Sequence, residues 1–220
     1  MPAQRTHGYI EDMLNRFSWI TQDKIVLDTC AGFILNWANY YESLFEGAKY
    51  FKHDIADTKP PSLDYICDIC TLDGIVGAEY ADFVLNMESL SRIYDPQRAV
   101  DVLWKICKFD GICIVTDGFF YPYRPSGLER LGMRDYWRFT PRGMVQLFRR
   151  FQILDVTTEG HSATQARGVW ITAMKVKGWR DQEQINLMSD PLPVKLRQVP
   201  LDYPGWVEST RRINARKMKK

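Results

Sequence analysis

Apolar runs of five or six residues, bounded by polar turns and separated by stretches of helical spacing, recur through the first half of this chain. No other feature constrains its fold as much. Strands are expected over 24–29, 49–53, 64–69, 82–87 and 111–116, with helices near 35–46 and 96–107. The second helix carries its own start signals: Asp95 can cap it, Pro96 suits its first turn, and Val100, Leu103, Trp104 and Cys107 form one apolar face. Strands that alternate with helices argue for a parallel sheet, whose right-handed crossovers place helices on both faces of a doubly wound α/β layer. Ahead of them, Ile10, Met13, Leu14, Phe17 and Ile20 keep helical spacing, so an amphipathic helix at about 9–20 is expected to lie against the sheet.

The last third breaks the alternation. "RFTPRGMVQLFRRF" reads as a helix capped by Thr140 with Pro141 in its first turn. "FQILDVTTE" and "GVWITAMKV" then follow as two strands with no helical pattern between them, so they should pair antiparallel. The sum is a mostly parallel sheet of seven strands ending in an antiparallel hairpin, an arrangement unlike the usual dinucleotide-binding one. Beyond Gly178 the composition changes to "DPLPVKLRQVPLDYPGW" and then "RRINARKMKK". Proline there opposes regular pairing, so residues 178–220 read as an extended arm with a basic tail, following a domain over 1–177. The arm has too many large apolar residues for full exposure, which suggests that it wraps its own domain or a second copy in a homo-oligomer.

With 220 residues and 45% hydrophobic content, the chain can bury one full core. A net charge of +2 argues against nucleic acid or membrane as a partner of the whole molecule. Five cysteines without a framework, and a polar start "MPAQRTHGY" with no leader-like apolar segment, suggest a reducing, cytoplasmic setting. Cys67 and Cys70 form a CxxC, but no second CxxC or His pair accompanies it, and on a strand the two side chains would point to different faces. No metal is expected.

The stretch "KIVLDTCAGFILNW" begins like a nucleotide-binding turn: an apolar run ends in Asp28, and a small-residue loop leads into a helix. Such turns use glycines because backbone must approach the ligand in dihedrals closed to side chains. Only Gly32 is present. Cys30 and Ala31 can imitate part of a glycine turn if the backbone keeps negative φ, whereas Phe33 and Ile34 would crowd a ligand.

Over about 24–176 the chain resembles the class I S-adenosylmethionine-dependent methyltransferases, in particular a branch with members in bacterial glycan-biosynthesis clusters. The resemblance is carried by "DYWRFTPRGMVQLF" preceded by "FFYPYRPSG", by "ESLSRIYDPQRAV" and by "ICKFDGICIV". It implies a Rossmann-like methyltransferase fold and S-adenosylmethionine as cofactor. The chain departs from the family pattern at the first loop, at Ser91 and Arg92 where a Glu-His pair is usual, at Phe109, Asp110 and Gly111 where Pro-Gly-Gly is usual, and at Arg124 where a His is usual.

Carried over residue by residue, the resemblance assigns Asp54 to the ribose hydroxyls, since a carboxylate can accept both protons. It places Asp68 near adenine, Met87 and Glu88 at the carboxyl end of the fourth strand, and Asp28, Cys30 and Gly32 around the amino-acid end of the cofactor. Each aspartate also reads equally well as a solvated strand-end residue. Methyl transfer to a hydroxyl benefits from a base, and the candidates are Asp117 and His161. Arg124 and Arg138 could grip an anionic group on the acceptor and Tyr136 could stack on it; for Arg138 the alternative is an ion pair with Asp135. Tyr136, Trp137 and Phe139 together read more readily as packing. The implied activity is O-methylation of a small-molecule, sugar or glycan acceptor. A catalytically silent, methyltransferase-like binding protein is the alternative, because the glycines and the Glu-His pair are missing. The sequence "NMES" after the fourth strand lacks the tetrad of base methyltransferases.

Overall fold

The computed structural model describes residues 2–31, 41–56, 63–118, 134–159, 168–178 and 197–199. In chain order the elements are α1 (Pro2–Arg16), β1 (Ile25–Thr29), β2 (Lys49–Asp54), β3 (Tyr65–Ile66), α2 (Asp73–Val76), β4 (Ala81–Met87), α3 (Pro96–Ile106), β5 (Cys107–Gly118), α4 (Pro141–Leu147), β6 (Gln152–Glu159), β7 (Gly168–Met174) and β8 (Arg197–Val199). One sheet contains all the strands, in the order β3-β2-β1-β4-β5-β7-β6-β8. The first five neighbours pair parallel, and β7 runs antiparallel between β5 and β6. The order turns back at β1 and β4, which opens a crevice at their carboxyl ends.

Period-two alternation decides what each face buries. Val26, Phe83, Leu85, Ile112 and Ile114 point to one side, where Tyr9, Ile10 and Met13 of α1 cover them together with Tyr41 and Phe45. Leu27, Val84, Cys113 and Val115 point to the other, beneath Val100, Leu103 and Ile106 of α3 and Met144 of α4. Each fully buried Leu or Ile of α3 contributes roughly 1.5–3 kcal/mol through removal of apolar area from water. The expected caps form: the Asp95 carboxylate accepts from Arg98 N–H, and Thr140 Oγ1 accepts from Gly143 N–H.

α1 begins and ends earlier than apolar spacing predicted. The helix stops at Arg16, Ser18 takes a left-handed φ of 51°, and Phe17 stacks on Trp19 with ring centroids 4.7 Å apart. Ile20, read as part of the buried stripe, is 73% exposed. Of the helix expected near 35–46, Tyr41 and Glu42 are helical, and 32–40 lie outside the described residues.

Two further differences concern turns. β5 includes Asp110 at φ 60° and Gly111, where an added Cβ would stand 2.8 Å from Lys108 O and 2.9 Å from Cys107 Sγ. Only glycine fits that bend. In the proline-rich segment, Arg197–Val199 pair parallel with Thr157, Thr158 and Glu159, so an eighth strand forms just ahead of Pro200 where no pairing was expected. Cys67 and Cys70 also lie off the strand, Cys67 after β3 and Cys70 within a 3-10 turn. Among the described residues no group of three His, Cys, Asp or Glu side chains is placed to hold a metal ion, and no helix is long and apolar enough to cross a membrane.

Candidate functional site

Strand register gathers the polar residues of the crevice. Asp28 lies beside Lys52 of β2 and Leu85 of β4, Thr29 beside His53, and Met87 beside Thr116. Asp28, Asp54, Met87 and Asp117 therefore come to the same carboxyl edge although they span much of the chain.

Asp28 is fully buried. The Tyr50 hydroxyl donates to its Oδ2 over 2.9 Å, while Oδ1 has no hydrogen-bond partner among the described residues. Burial pushes its carboxyl up to about 7; the Tyr50 hydrogen bond opposes this and the nearby Asp54 charge reinforces it. Asp54 is also buried, and its Oδ1 accepts from Ile55 N–H over 2.7 Å. The buried Tyr41 hydroxyl lies within electrostatic reach of Glu88 and Asp28, which follow burial as causes of its raised pKa. A buried carboxylate with one idle oxygen, among further acidic groups, is complementary to a small cation.

The first loop departs from its expected geometry. Cys30 has φ 85°, in the left-handed region, although the sequence reading required negative φ there. The backbone thus keeps the conformation a glycine would supply and accepts a side chain in it. The Cys30 and Ala31 N–H groups both donate to His53 O, over 2.8 and 2.9 Å, which ties the loop to the end of β2. Burial, then the Asp54 charge, raises the Cys30 thiol pKa far above its ordinary value. That shift holds the thiol protonated at neutral pH.

Asn86, which sequence reasoning passed over, holds this loop. Its Nδ2 donates to Thr29 O at 3.1 Å and Thr29 Oγ1 at 3.0 Å and lies 3.6 Å from Cys30 Sγ, and its Oδ1 accepts from Ser89 Oγ at 2.8 Å. The only sequence signal was an amide residue near the end of an otherwise apolar strand. Beyond it, Met87 is buried and Glu88 takes φ 55° while its N–H donates to Thr116 O.

Asp117 faces a second loop. Its Oδ2 accepts from Ser91 N–H and its Oδ1 from Gly118 N–H, each at 2.6 Å. Burial pushes its pKa up to about 6 against these hydrogen bonds. Ser91 O in turn accepts from Tyr136 N–H and Trp137 N–H at 2.8 and 3.1 Å, so the segment 135–139 docks beside Asp117. Arg138 donates through two nitrogens to both oxygens of Asp135, the ion pair weighed from sequence, and that bonding raises its pKa further. Phe139 is buried, whereas Tyr136 and Trp137 remain partly exposed. Asp68 is exposed and caps the 3-10 turn after β3, accepting from Cys70 N–H at 2.8 Å. Gly32, Phe33, Ile34, Arg124 and His161 lie outside the described residues.

This sheet order and hairpin end recur in solved structures. The chain aligns with the 1,6-didemethyltoxoflavin-N1-methyltransferase of Burkholderia thailandensis at a TM-score of 0.57 and 17% identity, over 80% of this chain and 79% of that one. The fold is the Rossmann-like methyltransferase fold. It is shared with phosphoethanolamine N-methyltransferase 2 of Haemonchus contortus (TM-score 0.55, 14% identity, 74% of this chain and 51% of that one) and with the [4+2]-cyclase SpnF (0.56, 14%, 78% and 82%). The Burkholderia and Haemonchus structures hold S-adenosylhomocysteine and S-adenosyl-L-methionine, respectively. No family model and no curated protein matches the sequence. At such identities the methyltransferase fold is what is shared, and activity has to be argued from the residues of this chain.

Proposed function

We propose that this chain binds S-adenosylmethionine at the carboxyl edge of β1, β2 and β4 and transfers its methyl group to a hydroxyl of a sugar or glycan intermediate. The observation that carries the reading is the buried Asp28 carboxylate, whose Oδ1 has no partner among the described residues and whose pKa burial raises to about 7. A cationic ligand would satisfy that oxygen and stabilise the ionised form. S-adenosylmethionine supplies a methyl carbon made electrophilic by its sulfonium. Asp28 would meet the ammonium end of the ligand, and Asp54 the ribose hydroxyls. Met87, Glu88 and Asp68 would border the remainder, with Cys30 and Gly32 in the loop. Asp117 and His161 are the proposed proton acceptors, and Asp117 would be ionised above about pH 6. Much of the remaining rate enhancement would come from placing the acceptor and excluding water.

Calorimetry with S-adenosylmethionine and S-adenosylhomocysteine tests the reading. Binding of both is expected, with a loss of at least about tenfold in Asp54→Ala, the effect of removing a hydrogen bond to a charged group. Absence of heat with either ligand would overturn it.

One observation favours a second reading, a catalytically silent binding protein of the same fold. The Cys30 and Ala31 N–H groups are already committed to His53 O, so two loop amides are turned away from a ligand. That reading expects a stable partner or self-association. It fails if the purified chain alone transfers radiolabelled methyl groups to an acceptor.

A further inference from the structure

The segment 135–139 and the turn before α3 together bring three aromatic rings to the surface beside Asp117. Tyr94, Tyr136 and Trp137 are 77%, 40% and 43% exposed. The rings are nevertheless held in place. Tyr136 and Trp137 are docked through their backbone on Ser91 O, and the Trp137 indole N–H donates to Ile93 O at 2.9 Å with Tyr94 O at 3.3 Å. Tyr94 and Tyr136 meet edge to face, with centroids 5.5 Å apart and planes at 81°. Because the indole donor is spent on backbone, Trp137 has only apolar ring surface to offer a ligand, while the two tyrosines also offer hydroxyls. Such fixed, exposed rings are not a packing requirement, since aromatic side chains gain most when buried.

We propose that Tyr94, Tyr136 and Trp137 form a stacking subsite for a pyranose unit. A pyranose has an apolar face of C–H groups and a rim of hydroxyls. The face suits rings held at fixed angles, and the rim suits the tyrosine hydroxyls and the Asp135–Arg138 pair alongside. A protein partner fits less well. Three partly exposed rings of roughly 150–250 Å² each fall short of the roughly 800 Å² that each partner of a standard complex contributes, and Arg92, Asp95 and Arg134, close to them in sequence, are exposed and charged. The subsite is also tied to the crevice: Asn86 joins the Cys30 loop to Ser89, and Ser91 joins Asp117 to Tyr136 and Trp137. What becomes of a bound sugar rests on the methyl-transfer reading, whereas its binding does not.

Saturation-transfer NMR on the full chain with methyl α-glucopyranoside, methyl α-mannopyranoside and methyl β-N-acetylglucosaminide provides the test, with the open-chain polyol sorbitol as control. Transfer to ring C–H protons of at least one glycoside, and none to sorbitol, is expected. Tyr94→Ala, which removes an exposed ring whose side chain makes no hydrogen bond among the described residues, should cut the signal threefold or more. Trp137→Phe, which keeps a ring, should retain most of it. The proposal is overturned if no glycoside shows transfer, or if Tyr94→Ala and Tyr136→Ala both leave transfer unchanged. It is also overturned if sedimentation reveals a dimer that Tyr94→Ala dissolves, because the rings would then belong to a contact between copies. Glycoside binding without S-adenosylhomocysteine binding would uphold this subsite and overturn the methyl-transfer reading instead.

Discussion

Tyr50 and Asp28 form a half-satisfied pair: the phenol donates to one carboxylate oxygen over 2.9 Å, and the other oxygen is buried without a partner among the described residues. In the unfolded chain Asp28 titrates near 3.8, but burial moves it up to about 7 in the folded one. Over that interval the folded state keeps a proton that the unfolded state has lost, so stability falls as pH rises and levels off above about 7. Asp117, raised to about 6, acts in the same direction over a lower window. His53, whose pKa burial lowers from 6.5, acts oppositely around and below that value, so the Asp28 contribution is isolated by comparison with Asp28→Asn. Between pH 6.5 and 8 the ligand-free protein should lose about 1 kcal/mol through Asp28. Urea denaturation of wild type and Asp28→Asn at both pH values checks this: the variant should lack that part of the slope and should bind S-adenosylhomocysteine more weakly.

Cys30 supplies a second expectation. At φ 85° an ordinary side chain costs on the order of 1–2 kcal/mol that glycine does not, offset by roughly 0.5–1 kcal/mol from the greater freedom of glycine in the unfolded chain. Cys30→Gly should leave stability unchanged or raise it by up to about 1 kcal/mol. Cys30→Val, β-branched in the same conformation, should lower it by about 2 kcal/mol or more. Equal effects of the two substitutions in urea denaturation would contradict the left-handed turn.

How far the fold could be read in advance follows from where its information lies. The strands and the hairpin were legible because burial on both faces demands uninterrupted apolar runs, as at Val26 and Leu27 or Ile112 and Cys113. The loops were not. Asp110 stands where the resemblance places glycine and Cys30 in the loop where it places several, and each takes a positive φ that glycine adopts freely, so residue identity hid the backbone shape. Neither periodicity nor motif could show that Asn86 binds across to Thr29, a contact between residues 57 apart in sequence. Ile20 misled for a plainer reason: helical spacing continued past the left-handed turn at Ser18.

Asn86 positions the first loop through Thr29 and Ser89. Asn86→Ala removes the donor to Thr29 O and Oγ1 and leaves Ser89 Oγ without its acceptor, all in a buried setting. A cost of roughly 1–3 kcal/mol is expected. Asn86→Asp keeps the acceptor for Ser89 but turns a buried carboxylate oxygen toward Thr29 O, and should lower stability at least as much as Asn86→Ala and S-adenosylhomocysteine affinity with it. Affinity unchanged in both variants would separate Asn86 from the site.

The packing of α1 across the sheet turns on Asp155. Its Oδ2 accepts from Tyr9 at 3.2 Å and from Thr157 Oγ1 at 2.5 Å, its Oδ1 from Arg16 at 2.7 Å, and Tyr9 also lies 2.8 Å from Thr172 Oγ1. The Asp155 side chain is 4% exposed and that of Arg16 46%. Solvent screening on the arginine side limits the ion pair to at most about 1 kcal/mol. The buried hydroxyls matter more, because Asp155→Ala removes, away from water, the acceptor of the Thr157 hydroxyl and of one Tyr9 bond, at about 2–4 kcal/mol. The expected order of destabilisation is therefore Asp155→Ala first, Tyr9→Phe next at about 1 kcal/mol, and Arg16→Ala last. Urea denaturation ranks the three, and amide exchange in α1 should accelerate in the same order. An Arg16→Ala effect as large as that of Asp155→Ala would mean that charge, and not hydroxyl satisfaction, holds the helix on the sheet.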